Sequence, residues 1–142
     1  MRRMLLAALW LFLSAPAFGQ SLTLADVKAK DAKQLSAEDL KQLLPGAKVV
    51  SHTNTGSTRS WENKADGTFT ASSDNRGNPG AHGATTGSGT WRLDDKGTYC
   101  VTISWPRTEE KWCRYVFKAA DKYYVVNKLD DAAPTFEMEI SK

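Results

Sequence analysis

Thr98-Tyr99-Cys100-Val101-Thr102-Ile103-Ser104-Trp105 carries the strongest strand pattern in this chain. β-Branched and aromatic residues dominate it, and its odd positions, Tyr99, Val101, Ile103 and Trp105, line one face. Pro106-Arg107 follows as a turn, and Lys111 to Lys118 returns. Pairing Cys100 directly with Cys113 sets the whole hairpin. Val101 then faces Trp112, Thr102 faces Lys111, and Pro106 takes a turn position that tolerates proline. Cys113, Tyr115 and Phe117 fall on one face of the return strand, and Trp112, Arg114 and Val116 on the other.

Directly opposed strand residues have Cβ atoms about 4.5–5.5 Å apart, within reach of a disulfide. The even cysteine count supports the same pairing. A metal site would need a second ligand pair, and a redox pair would need the compact C-x-x-C spacing. The Cys100–Cys113 disulfide is therefore expected, stabilising by about 3 kcal/mol for so short a loop.

Working outward, more short strands appear at roughly ten-residue intervals. Val49-Val50 begins one, and Ser57 to Asn63 forms another around Trp61. Asp66-Gly67 turns into Thr68-Phe69-Thr70-Ala71. On the far side lie Thr90 to Leu93, Lys122 to Asn127, and Phe136 to Ile140 with its apolar–acidic alternation. Ser36 followed by Asp39 reads as a capping box, with Pro45-Gly46 as a stop, so a helix is expected at about 36–44. Residues 24–33 read as a frayed helix or a tether. Residues 73–89, rich in Gly, Ser, Thr and Asn, read as a long mobile loop. The fold class is mainly β: a small antiparallel meander barrel or half-barrel, preceded by one short N-terminal helix.

The chain has 142 residues and a net charge of +3. Arg2-Arg3, the apolar run Met4–Leu13, and the small residues Ala17 and Gly19 form a signal-peptide pattern over residues 1–19. Ten apolar residues are too few to span a bilayer, which needs about 20. Removing this segment leaves 123 residues, 20–142, as a single domain with a charge of +1 and 44 apolar residues. The destination is periplasmic or secreted, with no transmembrane segment after cleavage. A nearly neutral chain gives no basis for nucleic-acid binding.

The order of features resembles a family of small exported bacterial proteins of uncharacterised function. Its pattern is met here by Leu35–Leu40 with Leu43, Leu44 and Gly46, and by Asp66-Gly67-Thr68. Gly89-Thr90-Trp91, Tyr99-Cys100 and Trp112-Cys113-Arg114-Tyr115 complete it. The resemblance implies a fold and export, and no activity. Gly89-x-Trp91 is also similar to the Gly-x-Trp signature of lipocalin-like and avidin-like barrels, although here it follows two or more strands.

Few residues carry catalytic patterns. No Gly-rich phosphate loop and no Gly-x-Ser-x-Gly elbow occurs. His52 and His82 are isolated, and Asp94-Asp95, Glu109-Glu110 and Asp130-Asp131 read as solvated turn charge. No metal and no cofactor is expected. The aromatic residues are the informative set. Trp61, Trp91 and Trp105, with Arg92 and Arg114, are the candidate ligand-binding residues, Trp105 and Trp61 being the pair expected to be exposed; Arg59 is a further source of polar contacts. Core filling remains the alternative for the tryptophans. The expected function is a non-enzymatic binding domain, holding a small ligand or an envelope protein at an aromatic-lined barrel end. The alternatives are an inhibitor or immunity-type protein that blocks an exported hydrolase through the 73–89 loop, with Arg76 and His82 at its tip, and an enzyme.

Overall fold

The computed structural model describes residues 21–81 and 83–142. Residues 1–19, where a signal peptide is expected, and His82 lie outside the described residues. Among the described residues, two short helices precede the barrel: α1 (Leu24–Lys28) and α2 (Ala37–Leu43), with β1 (Lys33–Gln34) between them. The barrel strands are β2 (Lys48–His52), β3 (Thr58–Glu62), β4 (Thr68–Ser73), β5 (Thr85–Leu93), β6 (Tyr99–Ser104), β7 (Glu109–Ala119), β8 (Lys122–Val126) and β9 (Thr135–Ser141).

Every neighbouring pair is antiparallel. β2 pairs with β9 and β7 pairs with β8, so eight strands close into a barrel with no free edge. The half-barrel alternative is thereby settled in favour of closure. β7 is long enough to serve two neighbours along its length. Its first six residues pair with β6 and its last five with β8. β1 covers the backbone of Phe117 and Lys118 where β6 has ended.

The hairpin register holds throughout: Cys100 opposes Cys113, Val101 opposes Trp112, and Thr102 opposes Lys111. The two sulfurs are bonded. Tyr99, Val101 and Ile103 point into the barrel core with Val49, Trp61, Phe69, Val116, Val125, Met138 and Ile140. Alternation places Cys100 and Cys113 on the outer wall, where the disulfide ties two adjacent strands.

α2 begins at Ser36, whose hydroxyl accepts from the Asp39 amide while the Asp39 carboxylate accepts from the Ser36 amide. Leu40 and Leu44 from this helix are fully buried in the barrel core, so α2 plugs one end. Where a frayed helix or a tether is expected over residues 24–33, a second, capped helix forms over Leu24–Lys28. Thr23 and Asp26 form another capping box, and the side chains of Leu24 and Val27 are fully buried on the outside of the barrel. They pack on Phe117, Tyr124 and Val126. This explains why Tyr123-Tyr124-Val125-Val126 does not alternate: one face meets the barrel interior and the other meets α1.

The loop expected at 73–89 is shorter. β4 runs through Ser73 and β5 begins at Thr85, so only residues 74–84 connect them. Gly87 and Gly89 belong to the wall. A Cβ on Gly89 would lie 2.0 Å from the Phe69 ring, and one on Gly87 would lie 2.9 Å from the Trp105 ring. These glycines make room for inward aromatic rings rather than for chain mobility.

Candidate functional site

The strand directions divide the loops between two ends. One end holds α2 and the turns at 63–67 and 94–98; the other holds the connections 53–57, 74–84, 105–108 and 127–134. The α2 end is filled. Trp61 Nε1 donates to Asn63 Oδ1 and to the Tyr99 hydroxyl, both at 3.1 Å, and the Tyr99 hydroxyl donates to Asn63 Oδ1 at 2.8 Å. Burial pushes the Tyr99 hydroxyl well above its usual range, against the opposing effect of its hydrogen bonds with Trp61 and Asn63. It therefore stays protonated and donating.

The opposite end is open. A cavity of about 580 Å³ lies there, walled by Arg59 and Ser73 of the barrel, by Asn75 of the 74–84 connection, and by Trp105, Arg107 and Thr108 of the β6–β7 turn. That volume lies within the range of small-molecule sites, about 300–1,000 Å³. Its rim is built by local hydrogen bonds. Asn75 Nδ2 donates to the Gly83 carbonyl at 3.0 Å and to Thr85 Oγ1 at 3.1 Å. The Gly77 amide donates to Ser57 Oγ at 2.9 Å, and no Cβ would fit against Thr55 there. Asp74 accepts from the Thr58 and Arg76 amides. Those bonds, the Thr58 amide first, hold its carboxyl below the usual carboxylate range.

A charged cluster lies beneath the mouth. Arg59 pairs with Glu110 through Nη1 and Oε2, and the guanidinium carbon lies 5.3 Å from the centre of the Trp105 ring. Glu110 Oε2 also accepts from Trp105 Nε1 at 3.2 Å, while Oε1 accepts from Trp112 Nε1 at 3.1 Å. One carboxylate thus satisfies three donors from three side chains. Arg114 lies over Trp112 and Phe136, 4.3 and 4.6 Å from the ring centres, and its Nε donates to Asn127. Burial pulls its pKa down to about 10; the Glu110 carboxylate opposes this and Arg59 adds to it. Arg114 remains charged near neutral pH.

The sequence-derived candidates separate clearly. Trp105 lines the cavity, and Arg114 lies inside the barrel. Trp61 is buried at 5% exposure, stacked on Phe69 with ring centres 5.3 Å apart, so its expected exposure is overturned. Trp91 belongs to the filled end: its Nε1 donates to the Lys64 carbonyl at 2.8 Å, and it meets the Tyr99 ring edge-on. Arg92 is exposed on the outer wall beside Cys100, with no place in the interior. Arg76 is exposed on the rim, 3.6 Å from Asp74.

Glu110 is the residue the sequence reading missed, taken for turn charge with Glu109. The signal was in the register. Glu110 opposes Ile103, which points inward, so Glu110 points inward too. Arg107 also joins the cavity wall, from the turn that the disulfide register places.

No curated protein and no solved structure matches the chain. One family does, described as Protein of unknown function (DUF995), over residues 10–122. By that match, which spans most of its length, this chain is a member of the DUF995 family.

Proposed function

We propose that the protein is an exported binding domain whose open barrel end holds a small ligand, without catalysing a reaction on it. The observation that carries this reading is the asymmetry of the barrel. α2 and the Trp61–Asn63–Tyr99 network fill one end, and the other opens into a walled cavity of about 580 Å³ over Arg59 and Trp105. A barrel closed at one end and open at the other presents preformed walls, which lower the ordering cost of binding.

Export is supported by the Arg2-Arg3 and Met4–Leu13 pattern and by the Cys100–Cys113 disulfide, a bond that persists in oxidising compartments. Among the described residues no helix is long and apolar enough to cross a membrane.

A screen of metabolites and glycans by thermal shift and tryptophan emission tests the binding reading. A ligand should raise the melting temperature and change Trp105 emission, and Trp105→Leu should remove both effects while the protein stays folded. Silence across the screen, or full binding by Trp105→Leu, would contradict it. Cell fractionation tests export: the mature protein should begin at Gln20 and lie outside the cytoplasm.

A further inference from the structure

We infer that the ligand of the open end is a small organic anion, a planar carboxylate gripped by Arg59 and stacked on the Trp105 side of the cavity. This assignment rests on the binding reading above and sharpens it.

Three observations point the same way. Among the described residues, the cavity wall contains two cations, Arg59 and Arg107, and no acid. The interior carboxylate beneath the mouth, Glu110, is already committed to Arg59, Trp105 and Trp112. A cationic ligand would have to compete with three internal donors for it. Arg59 is the converse case. A guanidinium carries five N–H donors. Only Nη1 is used by Glu110; among the described residues neither Nε, which is enclosed, nor Nη2, which is not, has a hydrogen-bond partner, so Nη2 is the donor left for a ligand. The wall therefore holds a spent acceptor and an unspent donor. A carboxylate is the group whose geometry fits a guanidinium fork.

Glu110 and Trp105 also preorganise Arg59. The Glu110 contact fixes one edge of the guanidinium and the indole ring covers one face. Little side-chain freedom is then left to lose on binding, the usual cost of recruiting a long cation. Arg107 sits on the rim and Arg114 lies deeper in the barrel. Among the charges that line the cavity or lie inside the barrel beneath it, these three arginines outnumber Glu110, which favours an anion there. The flat Trp105 indole and the Pro79 and Pro106 rings of the wall suit a planar apolar body on that anion.

Calorimetry on the oxidised protein with benzoate, cinnamate and 2-naphthoate, each beside its neutral amide, tests the assignment. At least one carboxylate should bind, about tenfold or more tighter than its amide. The Arg59→Gln/Glu110→Gln double variant keeps the interior charge balanced. It should lose about ten- to a hundredfold in carboxylate affinity with amide binding unchanged. Arg59→Lys, which retains a partner for Glu110, should weaken the carboxylate and serves as the second variant if the double variant does not fold. An amide that binds as tightly as its carboxylate would overturn the anion assignment and leave the binding reading intact. So would carboxylates that fail to bind while the neutral screen yields a ligand. A carboxylate preference that survives both variants would overturn the role of Arg59.

Discussion

Replacing Gly89 with alanine separates two explanations for the glycines of the 85–89 segment. Gly89 lies inside β5 and its backbone is not left-handed, so alanine meets no conformational barrier there. If space were available, Gly→Ala would stabilise by about 0.4–1 kcal/mol, by restricting the unfolded chain. Space is not available. The new Cβ would lie 2.0 Å from Phe69 Cε2 and 2.2 Å from Cζ, so the ring must retreat by about 1 Å merely to reach 3.0 Å. Phe69 is 3% exposed and stacked on Trp61, which is itself held by Asn63 and Tyr99. Overpacking of this kind costs about 3 kcal/mol. For a domain of this size that is about 10 °C in melting temperature. Urea and thermal denaturation of Gly89→Ala measure it. Phe69→Leu in the same chain should recover part of the loss, with a coupling of about 1 kcal/mol between the two sites. A Gly89→Ala protein as stable as the parent, or purely additive effects, would refute the packing argument.

Cys100→Ser/Cys113→Ser should cost about 3 kcal/mol, read by denaturant melting, while ligand binding at the open end persists because the disulfide lies on the outer wall. Glu110→Ala should cost about 2 kcal/mol, between an exposed and a fully buried pair, since it strands Arg59, Trp105 and Trp112 at a site about a quarter exposed. Ser36→Ala should cost about 1 kcal/mol and loosen the α2 plug, visible as faster amide exchange at Leu40 and Leu44. Asp26, Asp39, Asp66, Asp74 and Asp94 all have carboxyls held below their ordinary 3.8 by hydrogen bonds from caps and turns. The unfolded chain then binds more protons, so stability is present above 3.8 and is lost as pH falls below it. Urea midpoints between pH 6 and 3 should show this decline, and Asp39→Asn should flatten part of it.

The hairpin was readable because one covalent constraint fixed a register. Once Cys100 opposes Cys113, period-two alternation assigns every strand residue, Tyr99 to Ser104 and Glu109 to Val116, to a face. The same rule already placed Glu110 inside, yet its neighbour Glu109 and the nearby turn made solvated charge the easier reading. α2 was readable from Ser36 and Asp39. α1 was obscured because its two buried residues face the outside of the barrel, a surface that exists only after β7 and β8 pair. Gly87 and Gly89 misled for a related reason. Composition marks them as loop residues, and only the rings of Phe69 and Trp105 on neighbouring strands explain them. Trp61, Trp91 and Trp105 look alike in sequence. Their distance along the strands from α2 decides which fill the closed end and which meets the cavity.

Residues 20–142 hold four tryptophans, Trp61, Trp91, Trp105 and Trp112, so a protein of that span gives four indole N–H signals in nuclear magnetic resonance. Titration with a planar carboxylate while recording them tests the central claim most directly. The account predicts a saturable shift of the Trp105 signal, a smaller one at Trp112 through the shared Glu110, and still signals from Trp61 and Trp91 at the filled end. Shifts led by Trp61 or Trp91, or four unmoved signals, would contradict it.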